Sequence, residues 1–356
     1  ATLDGTVSDA QAKTLTTDKT KNDAITVKLS DAVISDAANL SVAADKTTVA
    51  IDAGLATGIA GGASDIASAL TAAGTTIDWG FAVDATFTVG VTGANQVDDL
   101  NTIMANTTGV ITATVSTQAM ADAPGATGLA KLSLGTVPAE NAKLTITVAD
   151  ATVNAAELTT LFGKTSVTVD ATAANVVQGS LSDIETLVGQ LEGVTPEANM
   201  SSTFHIELSD VTITAEELKQ VDAENGVGEV RAPANVIVTG AMDDVYDVVS
   251  DATIILPASA TFTILDATDG ESPPVVQPTS ASKLVSVGSY GFAENAINVD
   301  GVSLVSASAP KLAGIKAFAP IDTGAYAVVV DNGGENFDAT VQNVLDVRDA
   351  TSGAIT

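Results

Sequence analysis

Apolar and polar residues alternate in one register in four segments of the chain: Ile25-Thr26-Val27-Lys28-Leu29-Ser30-Asp31, Phe87-Thr88-Val89-Gly90-Val91-Thr92-Gly93, Leu144-Thr145-Ile146-Thr147-Val148-Ala149-Asp150 and Phe204-His205-Ile206-Glu207-Leu208-Ser209-Asp210. A period of two predicts strands with one buried face. Their first residues lie 62, 57 and 60 positions apart, so the chain repeats about every sixty residues. A leucine follows each strand start after 15, 13, 14 and 14 residues, at Leu40, Leu100, Leu158 and Leu218. The residues before these leucines predict short helical turns, opened by Ser35-Asp36, Asn95, Asn154-Ala155-Ala156-Glu157 and Thr214-Ala215-Glu216-Glu217. In the last, a hydroxyl and a carboxylate three residues apart can satisfy the orphan amides of a helix start, and the third is its Asn-led variant. Second strands are expected at 48–53, 109–115, 165–171 and, more weakly, 226–232. Short amphipathic stretches follow at Ser64-Asp65-Ile66, Ser182-Asp183-Ile184 and Asp243-Asp244-Val245.

Each unit thus reads strand, helical turn, strand, short helix. Strand starts alternate between spacings of about 23 and about 37 residues, which predicts one β-α coil of a solenoid twice per unit. Strands returning through helical connections should pair in parallel. The expected fold is therefore an α/β repeat, a β-α solenoid with largely parallel strands, and a row of separate four-element α/β domains is the alternative. The repeat region is placed at 1–266, with units starting near 25, 87, 144 and 204. It decays after Asp251, although 253–256 and 261–265 still read as strands. A Pro-rich linker is expected over 267–280. Residues 281–356 form a mainly β C-terminal module, with strands at 283–287, 302–306 and 325–330 and a helix at 339–348.

Composition narrows the chemistry. There are 356 residues, with 44 acidic and 14 basic side chains, and the charge of 14 minus 44, or −30, excludes a basic face for nucleic acid. Without Cys there are no disulfides, thiol nucleophiles or iron-sulfur ligands. Aromatics are 3%, so the core must be built from Ala, Val, Ile and Leu. No apolar run approaches the roughly 18 residues of a membrane span. The chain opens Ala1-Thr2-Leu3 without Met, from which we expect a removed leader or a piece of a longer chain.

Candidate sites are few. Gly163-Lys164-Thr165 resembles the end of a phosphate-binding loop, but the first glycine of that motif would fall on Leu158, a repeat core position. His205 is the only imidazole; between Phe204 and Ile206 and beside Glu207 it is expected to point at solvent. Trp79, within 76–83, reads as a core plug more readily than as a binding spot. Glycoside hydrolysis needs two carboxylates, which dozens of positions offer, so no pair stands out. Equivalent aspartates close the first strand of three units at Asp31, Asp150 and Asp210, while Asp52 and Asp170 share a place in the second strand. Stacking would align such oxygens, and a hard cation, calcium above all, would relieve their repulsion. Asp331, Glu335 and Asp338 offer further calcium ligands without a complete loop motif.

The segments Asp99-Leu100-Asn101-Thr102-Ile103 with 107–115, echoed by Asn154-Ala155-Ala156-Glu157-Leu158 with 164–169, resemble the tandem Ala/Thr/Val/Asp-rich repeats of very large surface proteins of marine cyanobacteria and other Gram-negative bacteria, and of phage fibre proteins. The resemblance covers about residues 20–250. The low pI and abundant Ala, Thr and Val are more loosely similar to bacterial surface-layer proteins. It implies an extracellular, non-enzymatic protein of the cell surface with calcium-dependent assembly: a surface-layer, adhesin or filament subunit making self-contacts. The alternatives are a phage virion fibre or decoration protein, and a module that binds or acts on cell-surface glycans.

Overall fold

The computed structural model describes residues 2–6, 24–72, 76–79, 88–122, 127–191, 198–201, 203–225 and 227–265, with short stretches at 267–268, 276–277, 279–280, 283, 286–287, 289–292, 296–301, 304–307 and 327–330. The fold is mixed α/β, with mostly parallel strands in several sheets. Among the described residues the antiparallel exception is the short pair Ala267–Thr268 with Val276–Gln277. The chain divides into two compact units, one of residues 1–175 with 189–201 and one of 176–188 with 202–356.

In the first unit, Thr2–Gly5, Thr26–Leu29, Ile51–Asp52 and Ile77–Asp78 form a parallel ladder. Gly58–Gly61, Thr88–Asn95, Val110–Val115 and Ala142–Thr145 form another, with Ile59, Val89, Ile111 and Ala142 in one register. Helices α1 (Ala37–Ala44), α2 (Ala63–Thr71), α3 (Val97–Ala105) and α4 (Ala155–Phe162) connect the strands. The second unit repeats the scheme. One of its ladders runs through Val176–Gly179, His205–Leu208, Val230–Arg231 and Ile254–Ile255. The other runs through Thr212–Thr214, Ile237–Ala241, Thr261–Leu265 and Ile297–Gly301. Its helices are α6 (Ala215–Asn225) and α7 (Met242–Ser250); α5 (Leu181–Leu191) begins in the same unit.

Register explains the core. Val177, Ile206, Val230 and Ile254 face one another across one ladder, and Ile213, Val238, Phe262 and Ile297 across the other. All eight are buried. Strands about 4.8 Å apart place each inward side chain directly against its counterpart, so mostly aliphatic residues fill the interior, with Phe262 the ring among these eight. The four leucines expected inside, Leu40, Leu100, Leu158 and Leu218, lie in α1, α3, α4 and α6 and are 0% exposed.

Helix starts follow the expected polar residues in most cases. Asp36 accepts the Ala38 N–H, Asn154 accepts the Glu157 N–H, and Thr214 and Glu217 cap each other reciprocally. At α3 the cap position is Gln96 rather than Asn95, and its side chain makes no cap bond; Asp98 and Asp99 instead stand in the first turn, where the helix dipole favours negative charge.

Two features depart from expectation. Additional short strands stand just before helices, at Gly58–Gly61, Thr152–Asn154, Thr212–Thr214 and Ile237–Ala241. Two of them end on residues that double as helix caps, Asn154 and Thr214, which hid those strands behind a capping signal. The expected strand at 283–287 is corrected: Lys283, Ser286 and Val287 are helical. Near the expected positions 302–306 and 325–330, strands run over Leu304–Ala307 and Ala327–Val330; the helix at 339–348 lies outside the described residues.

Candidate functional site: polar joints within the ladders

Two of the three aspartates that close the repeat's first strand accept main-chain amides. Asp150 Oδ2 accepts the Met120 N–H at 2.6 Å, and Asp210 Oδ2 accepts the Leu181 N–H at 2.6 Å. Leu181 is the first residue of α5, so the Asp210 carboxylate sits where the orphan amides of that helix need an acceptor, beside Ser180, whose hydroxyl accepts the Asp183 N–H. Each bond reaches about thirty residues back along the chain. Asp31 is half-buried at the end of its strand. Asp52 and Asp170 hold turns: Asp52 accepts the Gly54 N–H, and Asp170 accepts both the amide and the hydroxyl of Thr172. Among the described residues no three acidic or histidine side chains gather as a metal-holding group. Asp331, Glu335 and Asp338 lie outside the described residues.

A second set of joints was missed in the sequence. Seven residues after each of three repeat leucines stands a threonine at the corner between helix and strand: Thr47, Thr107 and Thr165. Thr47 Oγ1 donates to Ile25 O at 2.7 Å and accepts the Val49 N–H. Thr107 Oγ1 accepts the Gly109 N–H at 3.0 Å. Thr165 Oγ1 accepts the Leu144 and Val167 amides and lies 2.8 Å from Leu144 O. A small side chain that both donates and accepts can bond its own turn and the preceding strand at once. Asn225 stands at the same offset, seven after Leu218, but is the last residue of α6 rather than a corner residue; it is buried, and neither its Oδ1 nor its Nδ2 has a partner among the described residues. The spacing is present in the sequence, but threonines are so frequent here that a seven-residue offset carries no distinctive signal.

Imidazole, guanidinium and carboxylates meet on the outer face of the second unit. His205 is half-buried rather than simply pointing at solvent, and its Nδ1 accepts the Glu229 N–H at 3.0 Å. Arg231 bonds Glu229 Oε2 at 2.6 Å and stands 3.7 Å from Glu207 Oε1, while Gln178 donates to Glu207 Oε2 at 2.5 Å. The residues form a cross-strand row with its charges paired internally. With its Nδ1 held by main chain, the imidazole has only Nε2 to offer for proton transfer.

The other candidates resolve locally. Thr165 of the Gly163-Lys164-Thr165 segment is a corner residue, Gly163 ends α4, and Leu158 lies inside that helix. Trp79 is buried, as a core plug should be; residues 80–83 lie outside the described residues. A shallow cleft of about 260 Å³ in the first unit is floored by Leu129, Leu132 and Leu161, with Glu157, Thr160 and Lys164 among its walls. The Thr160 hydroxyl donates back to Ala156 O within its own helix. On the surface, the ammonium of Lys131 beside Asp122 holds that carboxyl below the usual carboxylate range.

A comparison with known protein families and with curated proteins found no match for this chain.

Proposed function

We propose that the chain is a non-enzymatic structural protein of the cell exterior, a segment of a surface layer, adhesin or filament that is built of β-α solenoid ladders and makes self-contacts. The observation that carries the reading is the parallel register itself: like residues recur across each ladder, as Val177, Ile206, Val230 and Ile254 do, and Asp150, Asp210, Thr47 and Thr165 bond main chain some twenty to thirty residues earlier. Such an array is a spacer whose length scales with the number of rungs. Its terminal strands present unpaired edges unless capped, and edge pairing is a physically available route to polymers. A charge of −30 keeps free subunits apart at low ionic strength, whereas divalent cations and salt lower that barrier. Calcium is the cation that suits carboxylate oxygens outside cells.

Light scattering on the purified chain tests this. Raising calcium at fixed ionic strength should increase the particle size, and imaging of the product should reveal sheets or filaments. A monomer indifferent to both calcium and salt would overturn the proposal.

A further inference from the structure

Helix α6 and the corner that follows α7 meet through three side chains. Thr253 Oγ1 lies 3.0 Å from Asp222 Oδ2 and 2.6 Å from Asp251 Oδ1, and the Thr253 N–H also donates to Asp251 Oδ1, at 2.9 Å. A hydroxyl has one hydrogen. It can serve one of the two carboxylates, and the remaining oxygen-oxygen contact needs a second proton. The two acids differ in which can supply it. Asp251 is exposed and already accepts an amide, the environment of a good anion. Asp222 is half-buried, and its other oxygen, Oδ1, is buried with no partner.

We propose that Asp222 carries the second proton, donating it to Thr253 Oγ1, which in turn donates to the Asp251 carboxylate, so that the three groups form a proton-dependent latch between α6 and the 251–254 corner.

Among the described residues, the charges around the latch leave Asp222 without a cation. Lys219, one turn earlier on α6, bonds Asp244 at 2.9 Å and Asp247 at 3.2 Å on α7, and those carboxylates hold its ammonium above the usual lysine range. Glu224, also on α6, accepts from Gln220. Arg231, on a strand against which α6 packs, is paired with Glu229 and Glu207. What remains beside Asp222 is the negative Asp251. Burial pushes the Asp222 carboxyl above the ordinary carboxylate value, and the Asp251 charge adds to this; the Thr253 hydrogen would oppose it only if turned to Asp222 instead of Asp251. Asp251 is held below that value by the same hydroxyl and by the Thr253 amide.

The two shifts give opposite pH dependences. The Asp222 contribution to stability is complete below the ordinary carboxylate value, about 3.9, and is lost as pH rises through its own raised value. The Asp251 contribution is present above the ordinary value and is lost as pH falls through its lowered one. The latch is therefore firmest near the ordinary value and loosens on either side, with ionisation of Asp222 on the alkaline side leaving two carboxylates to share one hydrogen.

The test compares urea unfolding of the full chain and of Asp222→Asn between about pH 4 and about pH 7. The variant keeps an N–H to donate to Thr253 and never ionises. The wild-type unfolding constant divided by that of the variant should rise with pH and then level off; a ratio that stays flat would overturn the latch. Carbon-13 NMR of the Asp222 carboxyl in the wild-type chain gives a second reading that needs no variant to fold. A midpoint above the ordinary aspartate value is expected, and one at or below it would equally overturn the proposal. Neither reading depends on whether the chain assembles.

Discussion

Thr107 shows how much of this protein rests on single polar atoms. It is buried, and its hydroxyl accepts the Gly109 N–H where the chain leaves α3 for the next strand. Thr107→Val keeps the shape and strands that amide, so it should cost about 1–3 kcal/mol, read from the urea midpoint. The complementary experiment is Asn225→Thr. Asn225, at the same offset from Leu218 but within α6, has two unpartnered buried polar atoms, so a threonine, whose hydroxyl can bond back to a carbonyl of its own helix, should raise stability by about 1 kcal/mol. Apolar positions carry the larger share: Leu158→Ala, at a residue with no exposed surface, should cost about 2–5 kcal/mol. The leucines were legible because burial at a fixed offset from an alternating strand is a local pattern. Asp150 and Asp210 were legible as equivalent positions, but their amide partners lie 30 and 29 residues away and left no local trace.

At the scale of elements, the helices are short, 8 to 11 residues, below the length at which isolated helices persist in water. Their caps and their packing on the strands must therefore hold them. Thr214→Ala removes the hydroxyl that the Glu217 amide uses, and about 0.5–2 kcal/mol should be lost in chemical unfolding. Close approach matters as well. A Cβ added at Gly228 would lie 1.8 Å from Phe204 O, so Gly228→Ala must displace backbone, and its urea midpoint should fall clearly below that of wild type. The strands that precede the helices escaped prediction because Asn154 and Thr214 end a strand and cap a helix at once, and the capping pattern is the stronger local signal.

Over the whole molecule, self-repulsion outweighs ion pairing. The described salt bridges, such as Lys28 with Asp52 and Lys219 with Asp244, are solvent-exposed, and each is worth at most about 1 kcal/mol. Against them stands a net charge of −30. Added salt weakens both, but the uncompensated repulsion is the larger, so the thermal unfolding midpoint at neutral pH should rise as sodium chloride is raised from about 0.01 M to about 0.15 M.

The sequence by itself determined the sixty-residue period, the alternation that turns Val, Ile and Leu inward, most helix starts and the anionic, ring-poor composition, because each of these follows from backbone geometry acting over a few neighbouring residues. Tertiary structure alone decided which strands pair, where the additional short strands lie and which amide each buried hydroxyl or carboxylate reaches. Those partners stand some twenty to thirty residues away, and the length of each connection, together with the close packing of the core, selects among registers that the local pattern leaves equivalent.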